Sequence, residues 1–359
     1  MSRVYLHVGS PKTGTSYLQD VLGRNRTTLA SHGLLYPDAA EGSHFGAAID
    51  LLDHRWGGAL SKARGQWDLV AQAAAKAPDR AVISHEVLAA ATPKQVARAR
   101  QSLGDAEVHL IVTARDLARQ IPAEWQETVK HRGRKTFARF MREIRKAPRT
   151  GSDLWFWRVQ GLPDVLTRWG HGLRPSHVHV VTVPHSGADP DLLWRRFASV
   201  LGVDPALQLQ SGERTNQSMG IAETALIRRL NAQLKGRRIQ QPVYANVVRD
   251  LLVHQTLAEL DLSARAAVAP ADRPMVEEIT EEWIEWLAAS GVSVIGDVEE
   301  LRPRWPEGDW VDPDQPDPEA VVEAAVAALA ELVTERSADY RRTSSRTRRL
   351  SSVWRRLRG

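Results

Sequence analysis

The segment that most constrains this chain is its opening, VYLHVGSPKTGTSYLQ, residues 4–19. Val4, Leu6 and Val8 alternate as in a short strand, Gly9 to Gly14 break the pattern, and from Thr15 the residues Tyr17, Leu18, Val21 and Leu22 recur at helical spacing. A strand, a glycine-bounded loop and a helix start form an anion cradle. The first N–H groups of the helix lack intrahelical acceptors, and the helix dipole adds partial positive charge at the same end. The loop departs from the nucleoside-triphosphate pattern in one respect. With Gly9 and Gly14 as its glycines, that pattern requires lysine at 15, where Thr15 stands; the lysine is Lys12, directly after Pro11. Magnesium-dependent phosphoryl transfer also calls for an acidic strand end, whereas the strand at 108–114 runs into Arg115. A P-loop kinase or NTPase is therefore the weaker enzymatic reading.

Three further apolar runs read as buried strands: AVIS (81–84), VHLIVTA (108–114) and HVHVVTV (177–183). Helical stretches follow them near Glu86–Ala91, from Leu117 to Val129 and around Leu192–Leu201. Strands alternating with helices predict an α/β fold, a P-loop-type parallel β-sheet flanked by helices. Beyond about residue 220 the spacing is helical, in 221–234, Val247–Leu260 and Met275–Leu287, and a Pro/Asp-rich loop at 303–318 precedes an alanine-rich helix at 319–335. The expected organisation is an α/β domain over 1–235, a helical C-terminal extension over 236–335, and a basic tail over 336–359, disordered or conditionally helical.

Charge is segregated along the chain. Glu277–Glu335 carries 17 acidic residues against Arg302 and Arg304, the last 24 residues carry nine arginines against Asp339, and the first 276 residues carry +12. A basic body attracts anionic ligands. This keeps a non-enzymatic polyanion-binding protein as an alternative, although the clearest basic cluster is the tail and nucleic acid is not an expected partner. The 359 residues include no cysteine, which excludes disulfides, thiolate-bound metal and thiol catalysis. No apolar run is long enough to span a bilayer and no secretory leader is evident, so the expected location is cytoplasmic. Leu350, Val353, Trp354 and Leu357 recur among the tail arginines, a pattern that also suits peripheral contact with an anionic membrane.

Pro11-Lys12-Thr13-Gly14-Thr15-Ser16 resembles the loop of the PAPS-dependent sulfotransferases, Pro-Lys-[Ser/Thr]-Gly-Thr-[Ser/Thr], at every position. In that family the loop holds the 5′-phosphosulfate of 3′-phosphoadenosine 5′-phosphosulfate (PAPS). The resemblance extends to LIVTARDLARQIPAEWQE, where Arg115 stands at the place of the arginine that grips the 3′-phosphate, and to HGLLYP, VISHEVL and RTNQSMG, over about residues 3–230. Two departures are plain. The family's serine eight residues after that arginine is Ala123, which leaves Arg119 as a candidate substitute, and the Arg-Lys-Gly-x-x-Gly loop of animal cytosolic members is absent. The pattern is similar to a bacterial, actinobacterial branch. It implies PAPS as co-substrate, no metal, and a carbohydrate, lipid-linked or small-molecule acceptor bound by variable loops such as 35–65, 130–160 and 236–320.

The chemistry asks for charge neutralisation at the leaving phosphate and a base for the acceptor proton. Lys12 suits the first. For the second, Ser84-His85-Glu86 ends a strand at the edge where open α/β sheets build their sites, and either His85 or Glu86 meets the requirement. His44 reads as a structural or acceptor-lining residue, and His7, within the first strand, as a core histidine. No His or carboxylate cluster at metal-ligand spacing is evident along the chain. Most of the 12 tryptophans, Trp155, Trp157, Trp169, Trp194, Trp283 and Trp286 among them, are expected to pack the core.

Overall fold

The computed structural model describes residues 2–38, 44–54, 60–204, 207, 209–210 and 218–356. Most of RTNQSMG and parts of the 35–65 loop region therefore lie outside the described residues. The fold is α/β. Six strands, β1 (Arg3–His7), β2 (Leu34–Leu35), β3 (Arg80–Ser84), β4 (Glu107–Ala114), β5 (Val178–Thr182) and β6 (Ser293–Ile295), form one sheet in the order β2-β3-β1-β4-β5-β6. Every pairing is parallel. β1 lies between β3 and β4, with His7 opposite Ser84 on one side and Ile111 on the other. The carboxyl ends of these three central strands thus meet at one edge, where parallel sheets carry their ligands.

Helix α1 (Thr15–Arg24) buries Leu18, Val21 and Leu22. They pack with Tyr5, Val82, Ile111 and Val181 of the sheet and with Trp194 and Phe197 of α3 (Leu192–Val200). Between them α2 (Leu117–Lys130) follows β4. The strands read from sequence at 81–84, 108–114 and 177–183 are β3, β4 and β5, shifted by no more than a residue at either end.

Two compact units divide the chain. The first comprises Met1–Glu124, Arg139–Thr215 and Val268–Gly308, and holds the whole sheet. Its last segment includes β6 and a one-turn helix, Val298–Leu301, whose Glu300 accepts from Thr182 Oγ1 (2.6 Å) and binds Arg196 through both oxygens (2.6 and 3.0 Å). The stretch read as a purely helical extension thus supplies the sixth strand, held to β5 by backbone pairing and the Thr182–Glu300 hydrogen bond, and its Glu300 is ion-paired with Arg196 of the helix Leu192–Val200. The second unit comprises Trp125–Ala138, Asn216–Ala267 and Asp309–Gly359. In it α4 (Ile221–Gln233) packs Ala222 and Ala225 against Val321 of α5 (Pro318–Arg356). The α5 backbone runs on through the arginine-rich segment to Arg356.

Candidate active site

The loop between β1 and α1 is fastened to β4 strand-fashion. Val8 N–H donates to the Ile111 carbonyl (3.1 Å), Ser10 N–H to that of Thr113 (3.0 Å), and Thr113 N–H to that of Gly9 (2.6 Å). The Thr13 hydroxyl is fully buried, donating to the Ser10 carbonyl and pairing with the Thr113 hydroxyl. Its side chain is structural, and only its backbone is left to face a ligand. The Pro11 carbonyl accepts from Gln120 Nε2 (3.0 Å) and Gln160 Nε2 (2.9 Å), both buried. Gly9, Lys12 and Gly14 take φ of 106°, 63° and 81°. Lys12 is thus a non-glycine residue in the left-handed region, which L side chains rarely occupy. Leu18 N–H bonds back to the Gly14 carbonyl (3.1 Å), and the N–H groups ahead of it in α1, those of Thr15 and Ser16 included, have no acceptor within the helix.

Gly9 decides what sits over this loop. A Cβ there would lie 2.9 Å from Glu86 Cα and 3.0 Å from the Glu86 carbonyl oxygen, so glycine lets the loop after β1 run directly against the turn that carries the carboxylate. That turn, Glu86–Ala90, follows β3 and is held from behind: Arg168 Nη1 donates to the Ala89 carbonyl (3.0 Å) and Trp169 Nε1 to that of Leu88 (3.0 Å). Glu86 keeps about a quarter of its side chain exposed (24%) and accepts from Gln19 Nε2 of α1 at 2.9 Å. Burial pushes its carboxyl group up, but His85, the Gln19 bond and the Lys12 charge together bring it below the ordinary carboxylate range. Glu86 is an anion at neutral pH, and Lys12 acts on it electrostatically.

His85 is differently placed. It is buried, its Nδ1 accepts from Val87 N–H (3.3 Å) as the cap of the turn, and the same nitrogen lies 3.7 Å from Glu86 Oε2. A nitrogen whose lone pair serves the backbone does not take a proton without breaking the cap. Lys12 and Glu86 thus lie within electrostatic reach of each other, and His85 caps the turn that starts at Glu86.

Arg115 follows β4 immediately and donates through Nη1 to the Lys12 carbonyl (3.1 Å). Its Nε is buried without a hydrogen-bond partner. Burial, with Arg119 nearby, lowers its pKa to about 10 despite Asp116, so it remains a cation at neutral pH. Asp116 is not its ion-pair partner: Arg119 takes both Asp116 oxygens and also donates to the Pro184 carbonyl (3.1 Å). Arg119 is tied to Asp116 and Pro184 but keeps a buried, unpartnered Nη2, so both arginines have a donor to spare and Arg115 is the one without a carboxylate hydrogen bond.

The remaining histidines resolve cleanly. His7 is fully buried, with Nδ1 2.7 Å from the Ser84 hydroxyl and Nε2 3.3 Å from that of Thr113; burial lowers its pKa to about 3. His44 donates from Nε2 to the Pro37 carbonyl (3.0 Å), accepts Ser84 N–H at Nδ1 (3.1 Å), and is lowered to about 4, chiefly by burial. Both are structural. Sequence reading missed Gln19, Gln120, Gln160 and Arg168, whose amides and guanidinium carry no pattern of their own. It also missed a His/carboxylate cluster. Glu107, His109 and His177 place ligand atoms within 4.8 Å of one another, contrary to the expectation of none, because the cluster forms only when β4 pairs with β5. Its signal was the alternation Glu107-x-His109 and His177-x-His179, which puts each pair on one face of the sheet.

No family profile and no curated protein matches this chain. Among solved structures it is similar to a sulfotransferase from Alicyclobacillus acidocaldarius, at 18% identity over 59% of this chain and 85% of that one, with a TM-score of 0.35. Among the described residues no helix is long and apolar enough to cross a membrane.

Proposed function

We propose that this protein is a PAPS-dependent sulfotransferase acting on a hydroxyl or amine acceptor. The observation that carries the reading is the meeting, at one sheet edge, of a lysine-bearing loop and a carboxylate held against it by Gly9, beside an arginine with a buried, unpartnered Nε. An anion-binding loop alone serves many nucleotides. A carboxylate against that loop adds a proton acceptor, and the orphaned Arg115 donor suits a second phosphate.

In this reading the backbone N–H groups at the α1 start hold the 5′-phosphosulfate and Arg115 holds the 3′-phosphate. Glu86 accepts the acceptor's proton as the acceptor oxygen or nitrogen attacks sulfur in line. One bond to sulfur forms while the bond from sulfur to the 5′-phosphate oxygen breaks, releasing adenosine 3′,5′-bisphosphate. Lys12 neutralises the charge that builds on the departing phosphate. His85 caps the turn that aims Glu86, and Gln19 orients its carboxylate.

Thermal unfolding in the presence of adenosine 3′,5′-bisphosphate, ATP with Mg²⁺, or a short oligonucleotide tests the reading. Stabilisation by the bisphosphate above the other two supports it, and indifference to the bisphosphate overturns it. A labelled-sulfate transfer assay against fractionated metabolites then identifies the acceptor.

A further inference from the structure

At the opposite end of the sheet, the amino ends of β4 and β5 gather histidines that the proposed reaction does not use. Glu107 is the first residue of β4 and His109 the third; His177 immediately precedes β5 and His179 is its second residue. Leu110 stands opposite Val178 and Ile111 opposite His179, so one step back along the ladder sets His109 beside His177. Seven residue steps, about 23 Å of strand, separate Glu107 from the end of β4 at Ala114.

We propose that Glu107, His109 and His177 form a zinc-type transition-metal site, with His179 positioning His109. The Glu107 Oε1 atom lies 3.3 Å from His109 Nε2 and 3.4 Å from His177 Nε2. Four ligands at about 2.0–2.1 Å around a tetrahedral ion are separated by edges of about 3.3–3.4 Å, so these atoms already stand at coordination spacing, with the ion replacing the proton of the present His109 Nε2–Glu107 Oε1 hydrogen bond. The carboxylate divides its work: Oε1 faces the two imidazoles, and Oε2 lies 3.6 Å from Arg3 Nε, which holds the side chain in place. His109 Nδ1 is 3.0 Å from His179 Nε2. With Nδ1–H donating to His179, the His109 tautomer is fixed and its Nε2 lone pair is left for the ion, the outer partner that metal-bound histidines usually have.

The donor set, two imidazoles and one carboxylate with a fourth position for water, suits Zn²⁺ or a neighbouring divalent ion better than Mg²⁺ or Ca²⁺, which favour oxygen. Solvent reaches the site, since Glu107 keeps 39% of its side chain exposed and His177 keeps 19%. The rings of His109 and His177 are stacked at 4.2 Å and 18°, so bringing both lone pairs onto one ion turns the His177 ring about its Cβ–Cγ bond while His109 keeps its bond to His179. The metal would tie the turn before β5 to β4, far from the anion loop, and so serves stability rather than the transfer step.

The test uses tag-free, full-length protein stripped with a chelator and titrated with Zn²⁺ against a chromophoric competitor, with unfolding temperature read in parallel. The proposal expects one equivalent per chain and a higher unfolding temperature with Zn²⁺. His109→Ala/His177→Ala weakens that equivalent more than about 100-fold, and His179→Phe weakens it by about 10-fold or more. Absence of a tight equivalent in the unsubstituted protein, or its survival in the double variant, overturns the proposal. Should the double variant fail to fold, Co²⁺ added to the unsubstituted protein decides. The intense visible absorption of a tetrahedral site supports the proposal, and the pale spectrum of hydrated cobalt refutes it.

Discussion

Replacing Gly9 by alanine tests how the candidate site is assembled without assuming what it binds. Two costs apply. Gly9 holds φ at 106°, and an L residue forced into positive φ loses roughly 1–2 kcal/mol. The new methyl group would also sit 2.9–3.1 Å from the Cα, carbonyl oxygen and Cβ of Glu86. Two of those three atoms are backbone, and the turn is held from behind by Arg168 and Trp169, so it does not yield as a side-chain tip would. Overpacking of this kind adds about 1–3 kcal/mol, for a total of about 2–5 kcal/mol. Gly65 is the internal control. It also has positive φ, 81°, but nothing lies within 4 Å of its would-be Cβ, so Gly65→Ala carries the strain alone, roughly 1–2 kcal/mol. Urea unfolding of both variants, followed by tryptophan fluorescence and circular dichroism at unchanged m, measures the gap. Gly9→Ala should also lose bisphosphate binding, because the loop and the Glu86 turn are pushed apart. Equal destabilisation of the two variants would refute the contact between Gly9 and Glu86 on which the site is built.

Four further outcomes follow from the proposed chemistry. Lys12→Ala should lower turnover with labelled sulfate far more than it weakens adenosine 3′,5′-bisphosphate; a raised Michaelis constant at unchanged turnover would give Lys12 a binding role instead. Arg115→Ala should weaken adenosine 3′,5′-bisphosphate by about 2–3 kcal/mol in calorimetry and leave adenosine 5′-phosphate nearly unaffected, and equal losses would remove Arg115 from the second phosphate. Glu86→Gln keeps an oxygen to accept from Gln19 but no longer takes a proton, so transfer to a hydroxyl should fall by about 100-fold or more. His85→Gln should cost stability more than turnover, and the reverse order would make His85 the base.

How much of this was legible in the sequence depended on length and on distance along the chain. β3, β4, β5 and α1 were readable because each carries four or more residues of a single hydrophobic period. β2, two residues long, and β6, three residues with intermediate burial, are too short to show a period, and they exist because β3 and β5 offer them a pairing edge. Missing β6 is also why 268–308 was read with the helical part. At the candidate site, Lys12 and Arg115 could be nominated from sequence because loop chemistry is local: a cradle, its glycines and its cation lie within a few residues. The proposed preference for Glu86 over His85 rests on contacts that are not local. It turns on whether Nδ1 of His85 is occupied by Val87 N–H and on what Gly9 packs against, neither of which adjacent residues reveal.

The pH response of folding offers a last check on how the Glu86 turn is held. His7 and His44 flank Ser84, the residue two before Glu86, and burial lowers their pKa values from 6.5 to about 3 and about 4. Between pH 6.5 and 5 the unfolded chain takes up a proton at each while the folded chain does not. Stability therefore falls on acidification, at about 1.4 kcal/mol per pH unit for each histidine. Both are essentially inaccessible to solvent, at 0% and 1%, so screening does not discount this figure. Glu86 contributes nothing in that window. Its carboxyl group, lowered in the folded state, costs stability only as pH falls through the ordinary carboxylate range and below. His179, lowered to about 4, and the partly buried His109 and His185, also lowered, add to the total slope, which makes a difference measurement the useful one. His44→Gln should be less stable than the unsubstituted protein at pH 7, yet its stability should fall less steeply between pH 6.5 and 5, by about one proton's worth. Protonated His44 presents Nδ1–H to Ser84 N–H, donor against donor, at the point where β3 gives way to the Glu86 turn. An unchanged slope in His44→Gln would show that His44 takes up its proton without leaving the Ser84 backbone, and that β3 is not held there by the neutral ring.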